Sequence, residues 1–201
     1  MKLVADKMIS SIVQIMLFAA IPFIWWYITA RKKESFWKWI GLKRMENKRK
    51  AFMWITGASF AFIPFGLLTF YLFKGVETAA SEFAGLGVHA VLPIIVYAVC
   101  NTAFPEELLF RGFLLKRIEN KFGFAVGNAV QAAMFGCLHG ILFFTLAGAV
   151  KAVLVSVFIG ITAWVMGYIN ERKAGGSMIP SLIIHAISNI FSGMCAAFCM
   201  I

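Results

Sequence analysis

The chain has 201 residues, of which 61% are hydrophobic and 14% charged, with a net charge of +10 and a mean hydropathy of +0.85. That much apolar sequence exceeds what a soluble domain needs for one core, and runs near 20 residues read as transmembrane helices. Uninterrupted apolar runs exclude a β-barrel, so the fold class is an all-α, polytopic integral membrane protein of about six transmembrane helices with short interfacial helices.

The first run, Met8 to Ala30, is too long for a signal peptide and ends on Arg31, Lys32 and Lys33 without a convincing cleavage site, so it is read as a retained anchor. Trp25, Trp26 and Tyr27 near its end suit an interfacial aromatic belt. The mixed aromatic and basic stretch SFWKWIGLK then lies along the membrane surface. Later spans are expected at Ala51–Phe73, Val91–Phe113, Gly127–Phe144, Ala152–Ile169 and Met178–Met200, with KAGGSMIP as the loop before the last. Residues 1–90 are read as membrane-anchoring helices and 91–201 as the helical core that carries the chemistry, within one membrane domain. Cys100, Cys137, Cys195 and Cys199 fall in apolar runs, with no spacing for a zinc knuckle or a disulfide framework.

The charge is distributed as a topology signal. Nine of the 19 Lys and Arg residues lie between Arg31 and Lys50; Arg111, Lys116, Arg117 and Lys121 follow the third span, and Arg172 and Lys173 the fifth. Lys2, Lys7, Lys74 and Lys151 remain for the other side. The positive-inside rule makes the richer side cytoplasmic, with both termini outside. The basic loops are suited to anionic lipid heads, and no nucleic-acid motif accompanies them.

Within this apolar background, FPEELLFRG (residues 104–112) stands out. Ionisable residues in spans are expensive, so they pair or serve a site. Glu107 and Arg111 are four apart, with the acid on the N-terminal side, and fall on one helix face in the favourable order. Glu106 points about 100° away. Pro105 removes the bond back to Asn101, and the resulting kink or widening lets water approach Glu106. A solvated helix end would explain this segment alone equally well. His139 interrupts another apolar run, flanked by Gly136 and Gly140 at small-xxx-small spacing. His185 and Asn189 share a face of the last span. His89 is given no role.

Depth counting brings these groups to one layer. From the basic loop ends, Glu106 lies roughly 15 Å in and His185 roughly 12 Å, at 1.5 Å per residue. His139 lies roughly 16 Å in if NKFGFAVG first runs along the surface, and about two turns too deep if its helix starts near Phe122. The layer is expected to be reached from the cytoplasmic side.

EELLFR, FGCLH (Phe135 to His139) and HAISN (His185 to Asn189) follow the patterns E-E-x-x-x-R, F-x-x-x-H and H-x-x-x-N. In order and separation they resemble the CPBP family of intramembrane proteases, which includes CAAX prenyl endopeptidases and bacterial bacteriocin-processing or self-immunity proteins. The resemblance covers roughly Val91 to the C-terminus. It implies hydrolysis of a peptide bond in a membrane-associated peptide or protein, at the plasma membrane of a prokaryote. Such a reaction needs a base for water, an oxyanion stabiliser and an acid for the leaving amine. Glu106 is the expected base, His139 shares the water, His185 and Asn189 form the oxyanion site, and Arg111 holds Glu107. No Ser or Cys has an evident base beside it. A metal-free reaction is expected; a zinc held by Glu106, His139 and His185 is the alternative, although H-E-x-x-H is absent. Two other classes stay open: a proton or ion pathway, and a non-proteolytic scaffold or immunity protein.

Overall fold

The computed structural model describes residues 2–200. The outermost residue at each end of the two expected blocks, 1 and 201, lies outside them. Six helices are long and apolar enough to cross a membrane, and no strand occurs among the described residues. The protein is an all-α polytopic membrane protein. In chain order the helices are α1 (Lys2–Thr29), the short α2 (Phe36–Trp39), α3 (Lys48–Leu72), the composite α4 (Gly87–Phe122), α5 (Phe124–Ala147), α6 (Ala149–Lys173) and α7 (Ile179–Ala197). All but α2 are spans. Their outward faces are apolar, as lipid requires: Leu17, Ile28, Phe60, Ile141 and Val150 are each more than 60% exposed.

The third span departs most from its expected bounds, running from Gly87 to Phe122 rather than from Val91 to Phe113. It is one helix with two π segments, Tyr97–Ala103 and Leu108–Leu115, on either side of the turn Phe104–Glu107. Pro105 sits in that turn, where its missing N–H is a reason for the α-helical register to break.

NKFGFAVG does not run along the surface. Gly123, at φ 84°, stops α4, and α5 begins at once with Phe124. Only a residue without Cβ adopts that angle cheaply. Gly127 then packs against the backbone of Leu115 and Glu119, so the two helices turn back tightly on each other.

SFWKWIGLK forms the short helix α2 and the turn that follows it. Phe36, Trp39 and Ile40 are buried, while Trp37 stays exposed. Phe36 packs on Phe23 and Trp26, and Trp39 on Phe113. The aromatic residues therefore bind this segment to the protein.

Helices α5 and α6 form the closest pair. A Cβ at Gly136 would strike Ser156 O and approach Gly160, and one at Gly140 would strike Ser156 and approach Ala152 O. Small residues on both helices let the backbones meet, as the Gly136–Gly140 spacing predicts. Polar groups join further along this seam. Asn128 Nδ2 donates to Trp164 O at 2.9 Å, and Gln131 Nε2 donates to Ala163 O at 3.1 Å and to Asn128 Oδ1 at 2.9 Å.

At the basic end, the loop before α7 is drawn inside: Ala174, Ser177 and Met178 are all 0% exposed. Ser177 Oγ donates to Lys43 O at 2.6 Å, and Met178 N to Gly41 O at 2.9 Å. Lys116 Nζ meets Glu171 Oε1 at 2.6 Å and Gly176 O at 2.9 Å. At the opposite end an ion pair between Lys7 and Glu82 ties α1 to the loop before α4.

Candidate active site

The hairpin turn at Gly123 explains how Glu106 and His139 come level. Glu106 lies sixteen residues before the end of α4 and His139 fifteen after the start of α5. Extending α4 to Phe122 moves Glu106 deeper, which offsets the extra depth of His139. The inward loop 174–178 likewise starts α7 below the surface, so His185 needs only six residues to reach the layer. The expected meeting holds, although each depth differs from the count along the chain.

Glu106, His139, His185 and Asn189 all line one cavity of about 640 Å³. Glu107 and Arg111 lie behind its wall, both 0% exposed. Arg111 Nη1 is 3.0 Å from Glu107 Oε1, the ion pair expected from their spacing. The guanidinium also lies over the Phe135 ring, 4.3 Å from Cζ to the centroid. None of its nitrogens meets an aligned acceptor among the described residues, so charge and the ring face hold it.

The sequence assigned Glu107 to Arg111 alone. The structure adds a second partner: His185 Nδ1 is 2.9 Å from Glu107 Oε1. A carboxylate accepts, so Nδ1 carries the hydrogen and donates. This fixes the ring and turns Nε2 toward Glu106, whose Oε2 is 3.8 Å away. The adjacent carboxylates thus hold different parts of one imidazole: Glu107 anchors it from the buried side and Glu106 faces it across the cavity.

His139 is oriented by its own helix. Its Nδ1 is 2.9 Å from Phe135 O, a carbonyl that can only accept. Nδ1 is therefore the donor, and Nε2 is left as the ring's free nitrogen. Phe135 packs against both His139 and His185, with ring centroids 4.6 and 6.0 Å apart.

Asn189 has a partner that the motifs did not identify. Its Nδ2 donates to Thr102 Oγ1 at 2.7 Å. The Thr102 hydroxyl donates in turn to Ala98 O at 3.0 Å and Tyr97 O at 3.2 Å, both in the first π segment. With its hydrogen turned back on its own helix, Oγ1 can only accept from Asn189. One hydrogen of the Asn189 amide is used in this way and the other stays available. Thr102 is a common residue in an apolar span, and nothing in its spacing to Glu106 marks it. The signal is the π register, which depends on tertiary packing.

Among the described residues no three His, Cys, Asp or Glu side chains come together as a group that could hold a metal ion. His185 Nδ1 is committed to Glu107 and His139 Nδ1 to Phe135. These bonds leave Nε2 of each ring free. His89 lies outside the cavity lining. The cysteines are free: Cys195 is buried in the protein, Cys100 partly so, and Cys137 and Cys199 are exposed on it.

Residues 87–191 match the family model described as Type II CAAX prenyl endopeptidase Rce1-like. No curated protein and no solved structure matches the chain. The matched region is just over half of the 201 residues and contains every one of the seven fixed residues of the three motifs. The chain belongs to the Rce1-like family of type II CAAX prenyl endopeptidases, and its class is that of a membrane endopeptidase.

Proposed function

We propose that the protein hydrolyses a peptide bond of a membrane-associated peptide or protein, with water activated by Glu106 and without a catalytic metal. The observation that carries this reading is the convergence of Glu106, His139, His185 and Asn189 on one cavity. Glu106 removes a proton from water, and the free Nε2 of His139 accepts a hydrogen bond from the same water and aims it. The oxygen attacks the carbonyl carbon of the scissile bond. The unused Asn189 N–H, with a protonated His185 Nε2, stabilises the oxyanion. Glu106 then returns its proton to the leaving amine as the C–N bond breaks. Glu107 and Arg111 act at one remove: Glu107 holds the His185 ring, and Arg111 offsets the charge of Glu107.

A second, apolar cavity of about 610 Å³ supports a hydrophobic substrate. It shares Phe62, Phe143, Phe158, Ile159 and Ser188 with the wall of the first. A bacteriocin leader, another peptide precursor or the tail of a membrane protein would all meet this requirement, and processing or self-immunity is the corresponding role. A scaffold or immunity protein without proteolysis needs none of the paired orientation at His185 and Asn189. An ion path needs an opening at both ends, and the cavity lining contains no residue from the basic loops.

The test is cleavage of a reporter peptide in liposomes, with stability measured alongside. Glu106→Gln keeps shape and removes the base, so turnover should nearly vanish in a folded protein. His139→Ala should resemble it, and the double variant should be little worse than either, because both side chains act on one water. Wild-type turnover by folded Glu106→Gln would remove Glu106 from the reaction. Loss in Glu107→Gln instead, at unchanged stability, would move the base one residue along.

A further inference from the structure

The sequence leads to a site reached from the basic, cytoplasmic side, but the cavity runs the other way. Its lining includes Glu77, Thr78, Ala79 and Ala80, from the loop between α3 and α4 at the end opposite the basic loops. Thr145 and Leu146, in the last turn of α5, belong to the same end. Glu106 and His185 therefore form the floor of a cavity whose mouth lies at the Glu77–Ala80 loop.

Below that floor the protein is closed in layers. Glu107, Arg111, Leu108 and Ile184 are all at most 1% exposed. Next, Ser181 N donates to Asn170 Oδ1 at 3.1 Å, and Asn170 Nδ2 to Ser181 Oγ at 2.7 Å, which joins α6 to α7. Beyond these come the buried loop 174–178, Ile40 and the Lys116–Glu171 pair. A water or a peptide coming from the basic side would have to break a buried ion pair and several hydrogen bonds. From the other side it meets open volume.

We infer that the site takes water and substrate from the face opposite the basic loops, across the Glu77–Ala80 loop. Its substrate is then a peptide segment presented on the non-cytoplasmic side: an exported peptide, or the outer end of a membrane protein. The substrate class rests on the proteolytic reading above, whereas the direction of access does not.

Cysteine accessibility tests the direction without any cleavage assay. In a background with Cys100, Cys137, Cys195 and Cys199 replaced by Ala, three single variants are compared. Thr162→Cys lies on the cavity wall midway along α6, Glu77→Cys at the mouth and Lys121→Cys at the basic end. Each is treated with a membrane-impermeant maleimide in sealed cells and in inverted vesicles, and folding is checked by elution in detergent. The expected result is that Thr162→Cys labels from the side that labels Glu77→Cys and not from the side that labels Lys121→Cys. Labelling from the Lys121 side, from both sides or from neither overturns the inference. If access is confirmed while Glu106→Gln leaves reporter cleavage unchanged, the catalytic reading has failed and the route stands.

Discussion

Arg111→Ala removes the partner of a carboxylate that has nowhere else to place its charge. Glu107 and Arg111 are both 0% exposed and 3.0 Å apart. After truncation only His185 would remain to Glu107, at 2.9 Å. Breaking a buried pair from one side typically costs ~3–5 kcal/mol, most of it the cost of the charge left behind. The Phe135 ring also loses the guanidinium over its face, a contact worth roughly 0.5–2 kcal/mol. At roughly 2–4 °C per kcal/mol for a chain of this size, the melting temperature should fall by about 6–20 °C. The assay is thermal unfolding of purified protein in detergent, followed by tryptophan fluorescence. Arg111→Lys keeps the charge but not the flat guanidinium, and should fall between wild type and Ala. Arg111→Met combined with Glu107→Gln removes both charges and should be more stable than Arg111→Ala, because no buried carboxylate is stranded. If Arg111→Ala melts within about 0.5 kcal/mol of wild type, the range of a surface change, the pair is not the support described here.

Asn189→Ala removes an oxyanion donor and should lower turnover by about 100–1000-fold with little loss of stability. Thr102→Val removes only the acceptor that orients Asn189; at about 0.5–1.5 kcal/mol for one hydrogen bond, turnover should fall roughly 2–12-fold, and Thr102→Ser should restore it. Gly136→Leu places a branched side chain against Ser156 O and Gly160 on α6, so it should destabilise by at least about 1–3 kcal/mol in the same melting assay. Reporter cleavage should be unchanged after chelation and dialysis; one tightly held zinc per chain whose removal abolishes cleavage would replace the metal-free mechanism.

The parts of the fold set by composition and short spacing were legible in the sequence. Apolar runs marked six spans, and the four-residue separations gave the Glu107–Arg111 pair and the shared face of His185 and Asn189. What escaped depends on where the chain meets itself. The composition of SFWKWIGLK marks an interfacial segment, but not that Phe36 and Trp39 pack on Phe23, Trp26 and Phe113. The loop 174–178 reads as an ordinary Gly-rich connector, and its burial follows from bonds to Gly41 and Lys43, more than 130 residues away in sequence.

Two adjacent carboxylates in one apolar helix pose a problem that the π segments help to resolve. Successive residues on a helix are turned by about 100°, so Glu106 and Glu107 cannot share an environment. Glu107 faces α7 and the buried side, where Arg111 one turn later neutralises it, and its remaining capacity fixes His185 Nδ1. Glu106 faces the cavity, 3.8 Å from the other nitrogen of the same ring. The wider register before this turn brings Thr102 under Asn189, and the one after it carries Arg111 onto the face of Phe135, whose carbonyl orients His139. An uninterrupted α-helical register would rotate Thr102 and Arg111 relative to the two acids. The positions of the π segments are therefore part of the site, and Pro105, lying between them, is the sequence feature that most directly accounts for the break.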